Sequence, residues 1–141
     1  MKIQIMTAAL CGLIITGCSS SSSEKPIETP VGNWELTEMV GYKLLPNAKA
    51  SLLLQEDGQI SGSGSCNRYF GQAKLDDKKL EINPVGVTRM ACEESVMNQE
   101  DAFIKALGQV VTWQGKGANL VLNDANDKTI LVFKQSEETN K

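Results

Sequence analysis

Ile60-Ser61-Gly62-Ser63-Gly64-Ser65-Cys66-Asn67-Arg68-Tyr69-Phe70-Gly71 is the stretch on which the fold turns. Small residues fill its first half, and two glycines stand where a strand would ordinarily carry bulk. Glycine weakens a strand but permits the kink or bulge that curls a sheet toward a barrel. Residues 60–65 therefore read as a glycine-rich strand or bulge, and residues 69–75 as the strand that follows it.

Working outward, Trp34, Leu36 and Met39 suggest a first strand and residues 51–55 a second, stopped by the turn signal Asp57-Gly58. Downstream, Asp76-Asp77 ends one strand, and residues 80–83 and 85–90 read as two more separated at Pro84. One helix interrupts the series. Over residues 95–107 apolar groups fall at Val96, Phe103, Ile104 and Leu107 with acids at Glu100 and Asp101, Ser95 can cap the start, and Gly108 suits the stop. Residues 110–113, 120–122 and 130–133 complete the strands, joined by Gly115-Lys116-Gly117 and by residues 123–127. Many short strands broken by a single helix predict an α+β fold, mostly β: a strongly bent antiparallel sheet with one packed helix.

The N-terminus carries a different signal. After Lys2, residues 3–15 are apolar except for Gln4 and Thr7, and the run stops at Thr16, Gly17 and Cys18. About 20 apolar residues are needed to span a membrane, so this is signal-peptide length. Ile15-Thr16-Gly17-Cys18 resembles the lipobox of bacterial lipoproteins, with an ordinary secretory signal or an uncleaved anchor as the alternatives. On that reading residues 1–17 are the signal peptide, and Cys18 becomes the lipidated N-terminus, bearing a diacylglycerol and a further chain such as palmitate. Ser19 to Ser23 and the proline-stiffened residues after them form a tether over 18–31, residues 32–135 fold, and 136–141 are a polar tail. Each buried CH₂ of an acyl chain contributes about 0.8 kcal/mol, and two or more chains hold durably. In lipoproteins of this kind the residue after the cysteine influences sorting. Ser19 is not the aspartate that commonly retains a lipoprotein at the inner membrane, which, in a cell with two membranes, favours lipid anchoring in the outer membrane, facing the periplasm.

Composition narrows the function. The chain has 141 residues, 14 basic and 17 acidic, for a net charge of −3. Its cations are scattered rather than clustered, so nothing suits a phosphate backbone and no nucleic-acid partner is expected. Histidine is absent, which removes serine–histidine and cysteine–histidine dyads and the commonest transition-metal ligand. No catalytic residues, metal site or cofactor are expected. Of four cysteines, Cys11 lies in the apolar run and Cys18 would carry lipid. Cys66 and Cys92 remain, and an even remainder in an oxidising compartment reads as a disulfide, the alternative being free thiols. The two arginines beyond the signal, Arg68 and Arg89, each lie near one of these cysteines. Arginine's planar fork suits bidentate bonding, either within a network that ties the disulfide corner together or, with Asn67 beside it, in an anion-recognising patch. Tyr69, Phe70 and Trp113 read as core or rim, or as lining of an apolar cleft.

The quoted segment, with Thr88-Arg89-Met90-Ala91-Cys92 and the helix bearing Glu100 and Phe103, resembles the META domain of heat-shock protein HslJ-type lipoproteins. The resemblance covers the chain from about Trp34 to Phe133. It implies an incomplete barrel with a helix against it, no enzymatic activity, and an association with heat-shock or stress response. The resulting expectation is a non-catalytic envelope lipoprotein that supports stress resistance by binding an envelope protein or a hydrophobic ligand. The alternative is a pilot-like assembly chaperone for an outer-membrane component.

Overall fold

The structure, a computed structural model, describes residues 26–136. The signal peptide, the lipobox with Cys18, the serine run and residues 137–141 of the expected tail lie outside the described residues. Eight strands and one helix follow in the order β1 (Gly32–Met39), β2 (Ser51–Leu54), β3 (Gln59–Ser63), β4 (Arg68–Asp76), β5 (Lys79–Val87), α1 (Glu94–Leu107), β6 (Thr112–Lys116), β7 (Asn119–Asn123) and β8 (Thr129–Gln135). Each strand pairs antiparallel with the next, and β8 returns to β1, closing the sheet into a barrel. This is the mostly β, α+β fold that the strand pattern predicts.

Alternation explains why these segments become strands. In β4 the inward positions Tyr69, Gly71 and Ala73 are buried between exposed Arg68, Phe70, Gln72 and Lys74, the period of two that a half-buried strand requires. The inner faces meet in one apolar core in which Trp34, Leu52, Leu54, Tyr69, Leu120 and Phe133 are almost fully buried. Phe103 and Leu107 of α1 enter the same core, with Phe103 edge-on to both Tyr69 and Phe133 at ring separations of 5.8 and 6.3 Å. Gly62 shows how tightly the sheet bends: a Cβ there would lie 2.1 Å from the Ser51 carbonyl oxygen, so no larger residue fits without moving β2.

The barrel is nearly open at one seam, which is how the expected incompleteness is realised. β5 and β6 are separated in sequence by α1 and share a single register pair, Lys79 with Thr112. The seam is held near its end by Leu80 N–H donating to the Val111 carbonyl at 2.9 Å and by Trp113 N–H donating to the Lys78 carbonyl at 3.0 Å. The Trp113 indole N–H donates to the Asp77 carbonyl at 2.8 Å, and the Lys78 ammonium lies 3.9 Å over the same ring, a cation–π contact.

Three expectations are corrected here. The sequence reading breaks the chain at Pro84, but residues 79–87 form one continuous strand. Leu80 directs its N–H across the seam, and alternate residues of a strand share that direction, so the N–H that Pro84 lacks would point to the side that β6 has already left. A proline costs no ladder bond there. Second, α1 begins at Glu94 after Glu93, with no side-chain cap, so Ser95 lies inside the first turn. Third, the chain packs before Gly32: Ile27 lies against the core, Pro30 is buried, and the Trp34 indole N–H donates to the Pro30 carbonyl at 2.8 Å. A tether, where the sequence places one, ends earlier than residue 31.

Candidate binding site

An up-and-down barrel has two rims. The chain enters at one, where the connections β2–β3, β4–β5 and β6–β7 also lie. The other rim carries the β1–β2, β3–β4 and β7–β8 connections and α1, and the polar chemistry of the protein gathers there.

Helix α1 directs two adjacent polar side chains inward. Glu100 is buried, and its carboxylate accepts from the Cys66 N–H at 3.0 Å, from the Asn67 N–H, and from Asn67 Nδ2 at 2.8 Å. Gly64 makes room for it, since a Cβ there would sit 2.8 Å from the carboxylate. Gln99 is wholly buried. Its Oε1 accepts from the Leu45 N–H at 2.7 Å, while Nε2 donates to the Ala48 carbonyl at 2.6 Å and to Ser65 Oγ at 2.8 Å. Two neighbouring helix residues thus tie down two separate connections, and hydrogen bonds to a charged carboxylate are the stronger kind.

Asn67 passes the tie onward. Its Oδ1 accepts from the Met90 N–H and from Thr88 Oγ1 at 3.2 Å, and its Nδ2 reaches the Met90 carbonyl at 3.4 Å. The Cys66–Cys92 disulfide closes the same corner, with the two Cα atoms 6.1 Å apart. Residues 87–90 are held as a wall facing α1, and between them lies a groove of about 510 Å³. Val87, Met90, Met97 and Ile104 supply its apolar surface, with Thr88, Arg89, Asp101, Lys105, Asn67 and Glu100 as its polar surface.

The sequence-derived site residues separate on this frame. Asn67 joins the corner as a buried clamp. Tyr69 is 1 % exposed, inside the barrel, where its hydroxyl donates to the Ser51 carbonyl at 2.7 Å and burial pushes its pKa well above the ordinary phenol value. Phe70 is 55 % exposed on the outer face, and its ring covers Gly86 across the β4–β5 pair, an aromatic shield over a strand glycine. Arg68 and Arg89 are both exposed. Among the described residues neither guanidinium has a hydrogen-bond or ion-pair partner, and the ion pairs found there join Glu35 to Lys49 and Lys134. The Lys49 ammonium, foremost by its hydrogen bond, holds the Glu35 carboxyl below its ordinary value. The network expected of the arginines runs instead through Glu100, Gln99 and Asn67. Glu100 and Gln99 escaped the sequence reading as site residues because a polar pair at mid-helix ordinarily faces water.

A family model, the META domain, matches residues 27–137. The chain belongs to the META domain family. No curated protein matches it. Among solved structures, it is similar to a protein from Burkholderia xenovorans determined by NMR, at 27 % identity and a TM-score of 0.62 over 76 % of this chain and 83 % of that one. A second protein solved by NMR is 26 % identical with a TM-score of 0.59, over 77 % and 92 % of the two chains. A DUF4847 family protein from Bacteroides vulgatus shares the fold at 18 % identity and a TM-score of 0.59, over 76 % and 94 %. The META match begins at Ile27, the first of the described residues to pack on the barrel core. The META family is not a recognised enzyme family. Among the described residues no cluster of potential metal ligands occurs, and no helix is long and apolar enough to cross a membrane.

Proposed function

We propose that this META protein is a non-catalytic lipoprotein of the bacterial envelope, held to the outer membrane by lipid on Cys18, which supports stress resistance by binding a protein partner or a hydrophobic ligand. The observation that carries the binding role is the groove between α1 and residues 87–90, which presents apolar side chains to solvent beside unpaired charge. The barrel interior is filled by its own aromatic and leucine side chains, so an occupant binds at the rim. The disulfide suits an oxidising compartment, and the lipobox-like Ile15-Thr16-Gly17-Cys18 suits export with anchoring.

The anchor is tested by labelling cells with a fatty acid. Lipid label on the parent and its absence from Cys18→Ser is the expected result; equal labelling of both rejects the lipoprotein. The binding role is tested by placing a photo-crosslinking residue at Met97 and, as a control, at Leu75, an exposed apolar residue beside the β4–β5 turn at the entry rim. A discrete adduct at Met97 alone is expected, and adducts at neither position reject a groove-borne function.

A further inference from the structure

The groove has features that select its occupant. Its two walls come from different elements: residues 87–90 continue β5 past its end, and Met97 and Ile104 stand on α1. Met90 is 61 % exposed and Met97 37 %, so the walls leave the groove open to one side. A small amphiphile is ordinarily enclosed over most of its surface, which these walls do not provide. Methionine walls instead adapt to the side chains of a partner, because the unbranched thioether rearranges at little cost. The wall is also preformed, since Asn67 clamps Met90 and Thr88 and the disulfide fixes the chain two residues later, and a preformed surface spends less binding energy on ordering.

Charge narrows the partner further. Glu100 lines the groove, but its carboxylate is taken by three donors from Cys66 and Asn67. Asp101 and Lys105, four residues apart on the helix surface, form no ion pair in this structure, but their opposite charges cancel in the net charge of the groove. Arg89, on the facing wall, has no acidic partner among the described residues. What remains open is an apolar floor with one arginine fork at its edge, and the matching group is a carboxylate next to an apolar side chain. The groove also lies at the rim opposite to the one where the chain enters, so a molecule tethered by its N-terminus presents the groove away from the tether.

We propose that this groove docks a protein segment in which an apolar side chain seats against Val87, Met90, Met97 and Ile104 while a neighbouring acidic side chain pairs with Arg89. The proposal rests on the binding role stated above and names its partner: a protein presenting an acidic, apolar peptide. The test uses two N-acetylated peptides built on one leucine–phenylalanine core, flanked by glutamates in one and by lysines in the other. Each is titrated into the full chain carrying ¹³C-methyl methionine. The glutamate peptide is expected to shift the Met90 and Met97 methyls saturably and to bind about ten-fold more tightly than the lysine peptide. Arg89→Glu, an exposed change that leaves the corner intact, is expected to invert that preference. Equal affinity for the two peptides, or an unchanged preference in Arg89→Glu, overturns the charge pairing. Saturable methyl shifts with palmitate and none with either peptide overturn the peptide in favour of an amphiphile. Failure of both peptides while the Met97 crosslink persists removes this occupant and leaves the groove-borne binding role standing, so the two failures are distinguishable.

Discussion

The two rims of the barrel are closed by different means. At the entry rim the connections are short and mainly local: Gly58 N–H donates to the Gln55 carbonyl, Asp57 accepts from the Gln59 N–H, and Gly58, Asp77 and Gly117 adopt the positive φ that tight turns require, the Trp113 tie to the β4–β5 turn being the exception. At the opposite rim the β7–β8 turn is likewise local, with Asp124 accepting from the Asn126 and Lys128 N–H groups, but the β1–β2 and β3–β4 connections and the chain after β5 have backbone groups satisfied by side chains from 20 to 54 residues away, chiefly on Gln99, Glu100 and Asn67. One rim is built mainly of local turns; the other holds a coupled corner. A change at the first should stay where it is made, and a change at the second should spread.

The largest effect is expected from Glu100→Ala. Three donors of Cys66 and Asn67 lose their acceptor in a buried site, and the loss of stability should reach about 4 kcal/mol, read as a fall in the urea midpoint. Methyl shifts should extend to Met90 if the corner is coupled; a loss confined to Gly64 and Cys66 would break the comparison. Next comes Cys66→Ala with Cys92→Ala. The sequence separation of 26 predicts a loss of about 3.5 kcal/mol from loop closure, with faster hydrogen exchange along residues 87–93 but not at the entry rim. Gly58→Ala at the entry rim should cost about 1–2 kcal/mol, because its φ is +83° and a Cβ would sit 2.6 Å from the Ala73 carbonyl oxygen. Amide shifts from that change should stop at β3 and β4. The smallest effect belongs to Arg68→Lys, which should leave the melting temperature within the range of an ordinary surface change, about 0.5 kcal/mol. A larger loss would reveal a guanidinium bond and restore the arginine to the corner.

This contrast also explains what could be read from the chain. Asp57-Gly58, Asp76-Asp77 and Gly115-Lys116-Gly117 announced the entry rim because each turn is encoded where it occurs. Gly62 and Gly64 announced the bend, and counting cysteines announced Cys66 with Cys92. Pro84 misled because a strand's tolerance for proline depends on which neighbour has departed, a fact held thirty residues downstream. Glu100 and Gln99 misled for a related reason: a polar helix residue looks solvent-facing until the two connections beneath it are in place. The arginines drew attention by rarity, yet the bonding at that corner is made by an amide and a carboxylate, which are common enough to pass unnoticed.

The register of β1 with β8 sets the order in which this molecule can be finished. Thr37 Oγ1 donates to the Val132 carbonyl across 95 residues, and β1 from Trp34 to Met39 has its second neighbour in the last strand of the chain. Such distant pairing is slow to form, because its closure entropy is spent before any contact returns it. While the chain is being made N-terminus first, β2 to β7 can assemble stepwise, but the outer edge of β1 stays exposed until residues 129–135 arrive. The earliest strand is thus the last to be protected, and for that interval the nascent protein carries an open β-edge that a chaperone, or a second nascent copy, could occupy.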